Sequence, residues 1–325
     1  MTRTLGSVRP KETSLHRRMW MFFQIAGLLA LLLTVYIYGS AVVLKEANSL
    51  GRDCIPPHVS EIRENFRPKI AIVSFSDEGR VGLPKLSSPS PRARGFRGLM
   101  GMVKSNKISY AKMWGYDFID ARTSIDWSRP ASWSKIPAIR SNLDKYDWIF
   151  WNDADSLVTN PIIRLESILQ SVIGTTFAGD EDCHHSNCAD LIVTEDVNGV
   201  NAGLFFVRRS KWSMEFLDKW WNMSSFIIEG SNKSGDNDAL IHYINSLSPS
   251  EMWNHVSVAP MQCIFNSYPW TPTWKSLHRF IFSPSSYWKG AYSNGDFMVH
   301  LAGLDDKTEW AANIIQEIKP SSSHN

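Results

Sequence analysis

Short apolar runs alternate along the chain with stretches whose apolar residues recur at helical spacing, and that alternation predicts a layered α/β fold with a mostly parallel sheet. "KIAIVSF" (69–75), "YDFIDA" (116–121) and "DWIFWN" (147–152) read as the first three strands. Leu99, Met102, Val103, Tyr110, Ala111 and Trp114 mark a helix, and "SKIPAIRSNLDKY" (134–146) marks another. Further helices are expected at 162–174, 211–221 and 236–247. Further strands are expected near "TFAGD" (176–180), at "AGLFFVRR" (202–209), and within "HVSVAPM" (255–261) and "DFMVHLA" (296–302). No internal repeat is present, and residues 68–318 read as one domain followed by a tail at 319–325.

The N-terminal pattern differs. From Met19 to Leu44 the chain is apolar, with Gln24 the only strongly polar side chain. About 20 such residues span a bilayer, whereas the apolar core of a signal peptide is roughly 7–15. Arg3, Arg9, Lys11, Arg17 and Arg18 precede the run, while Lys45 and Glu46 cancel after it. The positive-inside rule then gives a cytoplasmic tail (1–18), a transmembrane anchor (19–44), a polar stem (45–67) and a body across the membrane, in the secretory lumen or outside the cell. The sequons Asn222-Met-Ser224 and Asn232-Lys-Ser234 agree with a lumenal body. Such a lumen permits disulfides among Cys54, Cys183, Cys188 and Cys263, with the pairing open. "CHHSNC" (183–188) has no common zinc spacing and reads as a loop.

Composition narrows the function classes. A formal net charge of +2 on 325 residues gives no electrostatic footprint for nucleic acid. The 14 Trp suit core packing, with a few free to serve as sugar-stacking platforms. Neither a P-loop nor a GxGxxG pattern is present, which removes ordinary ATPase and dinucleotide readings.

The third strand carries the chemistry. It runs into "NDADSLV" (152–158), placing Asp153 and Asp155 at a strand's carboxyl end, where open α/β sheets bind ligands. Strand alternation points both acids to one face. Two carboxylates held close repel unless a cation sits between them, and such a pair suits Mn²⁺ or Mg²⁺ carrying phosphate oxygens. His300, in "GDFMVHLAG" (295–303), offers a third ligand beside Ala302-Gly303, although taken alone a histidine there is more often structural. The strand-then-Asp-x-Asp pattern also matches a haloacid-dehalogenase-like phosphatase, but that fold carries the motif on its first strand.

Five blocks in order resemble family 34 of the glycosyltransferases, whose members include fungal α-galactosyl- and α-mannosyltransferases and plant xyloglucan xylosyltransferases. They are "NKISYAKMWGYDF" (106–118), "KIPAIRSNLDKYDWIFWNDADSLVTNP" (135–161), "VNAGLFFVRRSKWSMEFLDKW" (200–220), "DNDAL" (236–240) and "GDFMVHLAG". The resemblance implies a GT-A fold (a Rossmann-like nucleotide-sugar transferase fold), retention of anomeric configuration, Mn²⁺ with Mg²⁺ as the alternative, and a single-pass type II Golgi protein. It implies a nucleotide-sugar donor and a glycan or polysaccharide acceptor. UDP-galactose is favoured over UDP-xylose and GDP-mannose, because "NDAL" is closer to the fungal form of that block. It also admits homo- or hetero-oligomers with other Golgi transferases.

Carried over by position, Asp153, Asp155 and His300 become metal ligands, and Asp153, Lys107 and Lys135 line the donor side. Asn201 and Gly203 shape the sugar and acceptor face, and Asp236 and Asn237 stand where the family's acid and glutamine approach the anomeric carbon. Without the family, Lys107 and Lys135 also read as solvated helix lysines, and Asp236 as a helix N-cap. Asn237 is one methylene shorter than the family glutamine. Leu304 and Asp305 replace the usual Cys and basic residue, with Lys307 further on. These departures motivate a rival reading, a non-catalytic subunit of a Golgi glycosyltransferase complex.

Overall fold

The computed structural model describes residues 12–56, 68–78, 96–173, 189–228, 234–271 and 273–318. In chain order the elements are α1 (Glu12–Lys45), β1 (Ile70–Ser74), α2 (Leu99–Trp114), β2 (Asp117–Asp120), α3 (Lys135–Arg140), β3 (Trp148–Asn152), β4 (Ser156–Val158) and α4 (Leu165–Ile173). There follow β5 (Leu191–Asp196), β6 (Gly199–Arg208), α5 (Lys211–Trp221), α6 (Asp236–Ser246), α7 (Pro249–His255) and β7 (Val256–Val258). The last are α8 (Trp274–Phe282), α9 (Pro284–Gly290), β8 (Met298–His300) and α10 (Lys307–Ile318). The strand expected at 176–180, the "CHHSNC" segment and the Asn232 sequon lie outside the described residues, whereas Asn222 is exposed at the end of α5.

The main sheet has the order β2-β1-β3-β6-β5-β7, and β4 pairs with β8 in a separate two-stranded ladder. β1 is parallel to β2 and β3, β5 is parallel to β7, and β6 is antiparallel to both its neighbours. The sheet is therefore mostly parallel, as the pattern predicts, with one inverted strand. All five residues of β1 and of β3 are buried, which explains why both read as continuous apolar runs rather than as alternation. Alternate residues still serve opposite cores. Ile149 and Trp151 join Val73 and Phe205 on one face, and Phe150 joins Ile72 and Phe206 on the other. Phe150 and Phe206 are directly paired across β3 and β6 and stack at 4.3 Å, a contact adding about 0.5–1 kcal/mol beyond area burial.

Among the described residues one helix is long and apolar enough to cross a membrane, over His16–Lys45. The segment after it, part of the polar stretch expected as a stem, packs onto the body. Leu44, Ala47 and Cys54 are buried, and Cys54 is disulfide-bonded to Cys263. Arg52 is buried in a bidentate ion pair with Asp296, both bonds 2.8 Å. Asn48 Nδ2 donates to the same carboxylate at 2.7 Å, and Ser293 Oγ donates to the Lys45 carbonyl at 2.9 Å.

Candidate active site

β3 ends at Asn152, and the chain turns through Asp153 and Asp155 into β4. The Asp153 amide donates to the Gly203 carbonyl at 2.8 Å, which ties the turn to the middle of inverted β6. β4 then lies antiparallel to β8, with Ser156 opposite His300. That pairing carries His300 to the acids. Asp153, Asp155 and His300 each present a ligand atom, all within 4.8 Å of one another. The acids converge through a turn and a second ladder, not through alternation along one strand.

The donor set suits a hard divalent cation of the Mn²⁺ or Mg²⁺ kind: two carboxylates and an imidazole whose free nitrogen faces them. The orientation of His300 is fixed from behind. Asn266 Nδ2 donates to Thr194 Oγ1 at 2.8 Å and to Asn201 Oδ1 at 3.1 Å. Its Oδ1 therefore accepts from His300 Nδ1, at 2.9 Å, and Nε2 is left with a lone pair 3.3 Å from Asp155 Oδ1. Asp155 is sealed, whereas the Asp153 side chain is 32% exposed and forms the open side of the cluster.

The two carboxylates differ electrostatically. Burial works against the charge of Asp155, but Lys307 at 2.7 Å outweighs it and holds its pKa far below the ordinary value. Lys307 Nζ also donates to the Leu301 carbonyl. Asp153 goes the other way. Desolvation raises its pKa, and repulsion from Asp155 adds to this against the attraction of Lys135. An acid held reluctantly ionised beside a sealed, fully ionised one is a pair that a cation would relieve.

Lys135 and Lys107 are not solvated helix lysines; both are buried. Lys135 Nζ bridges Asp236 at 2.9 Å, the Ala202 carbonyl at 2.9 Å and Asp153 at 3.4 Å. Lys107 Nζ donates to the Asp153 carbonyl at 2.9 Å and to Ser74 Oγ at 3.1 Å, and burial lowers its pKa to about 7. Lys107 holds the backbone of the acidic turn, and Lys135 that of β6. Asp236 is the first residue of α6 and not its N-cap, which is Gly235. Burial opposes its charge, yet Lys135 and the hydroxyls of Ser234 and Ser132 prevail and keep its pKa low. Asn237 Oδ1 accepts from the Ala202 amide at 2.6 Å and its Nδ2 donates to the Val200 carbonyl at 3.2 Å, so the whole amide is held by β6. Asn201 lies one step from the Asp153–Asp155–His300 cluster, with Nδ2 on the Tyr268 hydroxyl at 2.8 Å and on Asp196 at 3.1 Å.

Gly203 is required by space. A Cβ there would overlap His300 Cε1 and stand 2.9 Å from Asn201 Oδ1. Gly203→Ala is expected to push the imidazole out of register and weaken Mn²⁺ binding by about 10–100-fold, the range for disturbing a ligand's support. Mn²⁺ titration followed by electron paramagnetic resonance reads this directly; wild-type affinity would show that His300 is not a ligand.

Sequence reasoning missed Asn266, Tyr268 and Asp196. "CIFNSYPW" carries no pattern that marks Asn266 as the partner of a distant histidine. Lys307 was noticed only as the first cation after "HLAG".

The family profile described as the galactosyl transferase GMA12/MNN10 family matches residues 86–310. The chain belongs to this family. It is 26% identical over 228 residues to an alpha-1,2-galactosyltransferase of Schizosaccharomyces pombe, covering 62% of this chain and 56% of that protein. It is 24% identical over 283 residues to the probable alpha-1,6-mannosyltransferase MNN10 of Saccharomyces cerevisiae, covering 77% and 66% respectively. The chain thus spans between about half and two thirds of these relatives' lengths. Among solved structures it is similar to a glycosyltransferase involved in glycosylation of the major capsid of PBCV-1, with TM-score 0.45 and 14% identity over 75% of this chain and 100% of that one. It is also similar to the galactosyltransferase LgtC with donor and acceptor sugar analogs, with TM-score 0.40 and 12% identity over 79% and 97%. At these scores the fold is read from the sheet itself. That sheet is the layered α/β architecture expected of a GT-A fold, with the acidic pair at a strand's carboxyl end.

Proposed function

We propose that the chain is a retaining α-glycosyltransferase of the Golgi lumen, moving a sugar from a nucleotide-sugar donor to a glycan or polysaccharide acceptor. Galactosyl is the favoured sugar, with xylosyl and mannosyl as alternatives. The observation that carries this reading is the convergence of Asp153, Asp155 and His300 within 4.8 Å, oriented by Asn266, in a chain of this family. A divalent cation bound by these three residues supplies neutralisation of the charge that gathers on the departing diphosphate.

The chain's own residues do the rest. The open side at Asp153 admits the diphosphate, while sealed Asp155 is held ionised by Lys307. Lys107 and Lys135 fix the carbonyls of Asp153 and Ala202, so the acidic turn and the middle of β6 keep their spacing. Asp236, kept ionised by Lys135, contributes negative potential on the side where the anomeric carbon becomes positive. Asn237 enters as a positioning residue, since β6 already holds both ends of its amide. The bond from the anomeric carbon to the diphosphate oxygen breaks, and the acceptor oxygen bonds the same face. The acceptor proton passes to the departing phosphate oxygen.

Type II topology rests on the apolar run of α1 from Met19 with Arg17 and Arg18 just before that run, and Golgi residence on the family resemblance. Proton NMR of the first product formed by the full chain tests the stereochemistry. An α-linked product from an α-linked donor is expected, and a β-linked product would overturn the retaining assignment. Simple phosphate esters are expected to stay intact, in contrast to the phosphatase alternative.

A further inference from the structure

We infer that the α8–α9 hairpin lies in the lumenal leaflet of the membrane that α1 crosses, as a second membrane contact of the body. The inference rests on the reading of α1 as a membrane anchor. α8 carries several large apolar side chains, most of them exposed. Leu277 is buried against the body, while Trp274 is 77%, Ile281 52% and Phe282 71% exposed. Large apolar side chains grouped on one exposed helix of a water-soluble surface mark an interaction site.

Depth identifies the partner. Counting from Met19, about 20 residues at 1.5 Å each cross the roughly 30 Å hydrocarbon layer and end near Tyr38. Tyr36 and Tyr38 then stand at the lumenal boundary, where aromatic side chains gather. Tyr36 packs edge-to-face against Phe280 of α8, with ring centroids 5.4 Å apart. Phe280 is thereby held at the boundary, and Ile281 and Phe282 are its immediate neighbours. Arg279 is exposed beside them, where a long cation reaches the headgroups while its stem stays among apolar chains. An apolar cleft of about 360 Å³, lined by Val43, Leu44, Phe280, Pro284, Ser285 and Trp288, continues the same surface between α1 and the hairpin.

The placement is rigid. The Cys54–Cys263 disulfide and the buried Arg52–Asp296 pair lock the end of α1 to the body. Arg52 also donates to the Trp288 carbonyl of α9 at 3.3 Å and to the Ala291 carbonyl. The Tyr36–Phe280 contact then sets α8 at the depth of Tyr36, and the leaflet is the surface at that depth.

The test uses the full chain in phospholipid nanodiscs with p-benzoylphenylalanine at one position at a time. Phe282→p-benzoylphenylalanine is the probe, Leu32→p-benzoylphenylalanine reports the span, and Trp253→p-benzoylphenylalanine, at a 71% exposed side chain on α7, reports the background. After irradiation, lipid adducts are counted by mass spectrometry. The expected result is adduct at Phe282 about ten-fold or more above Trp253 and comparable with Leu32. Adduct at Leu32 with only background at Phe282 would overturn the hairpin contact and leave the anchor standing. Background at both positions would overturn the anchor reading as well. Crosslinks from Phe282 to a second copy of the chain, without lipid, would replace the leaflet by a protein interface.

Discussion

Asp153→Asn is expected to lower sugar transfer about 10³-fold, corresponding to about 4 kcal/mol of lost transition-state stabilisation, and to leave the fold in place. The substitution removes one negative ligand from the open side of the cluster. It leaves an oxygen to accept from Trp151 Nε1, now at 2.9 Å, and Lys135 keeps Asp236 at 2.9 Å. Thermal stability should therefore stay within about 1 kcal/mol of wild type. Asp155 is the poorer choice for this test. Its loss would strand Lys307 buried without its carboxylate, and instability would mask chemistry. Transfer rate and its Mn²⁺ dependence, measured beside a melting curve, separate the two effects. Activity within a few-fold of wild type would remove Asp153 from the metal site.

The second large effect concerns the junction below the anchor. Arg52→Ala is expected to destabilise the chain by about 3–5 kcal/mol, because Asp296 would remain fully buried without its bidentate partner. The loss should depend on pH with a definite sign. Burial already raises the Asp296 pKa against the pull of Arg52, and removing Arg52 raises it further. A carboxyl with a raised folded pKa binds more protons folded than unfolded between the two pKa values, so stability falls as pH rises through that window. The deficit of the variant should consequently shrink on acidification. Thermal unfolding of the full chain at mildly acidic and neutral pH measures both. A shift under about 1 kcal/mol would show that the junction is peripheral to the body's stability.

Several elements were plain in the sequence because one local signal decided each. β1 and β3 are buried on both faces, so each reads as an unbroken apolar run, and two acids at the end of such a run have no packing role. α5 begins and ends at 211 and 221, as its pattern indicated. Its apolar residues are regularly spaced, and Ser210 caps it by accepting from the Ser213 amide. β4 and β5 were not read. β4 has three residues, and its identity comes from pairing with β8, about 140 positions away. β5 is defined by its ladders with β6 and β7.

The same distinction runs through the site. Asp153, Asp155 and His300 were named from residue type, position and family resemblance, and the structure brings them together. Their route together was not legible, because it depends on the register that sets Ser156 against His300. The lysines illustrate the converse. A sequence shows that Lys107 and Lys135 sit on helices, but not that both point inward to hold backbone carbonyls. Among four cysteines three full pairings exist. Cys54 and Cys263, 209 positions apart, meet only because the residues after α1 fold back onto the body.

The most direct test of the central claim is turnover of UDP-galactose, UDP-xylose, UDP-glucose and GDP-mannose by the full chain, each with Mn²⁺ and with EDTA. The account predicts release of the nucleoside diphosphate from one donor, UDP-galactose being favoured, with Mn²⁺ and its loss with EDTA. Equal turnover in EDTA would contradict the metal site. If none of the four were bound or turned over, with or without acceptor glycans, the enzymatic reading would give way to that of a non-catalytic subunit.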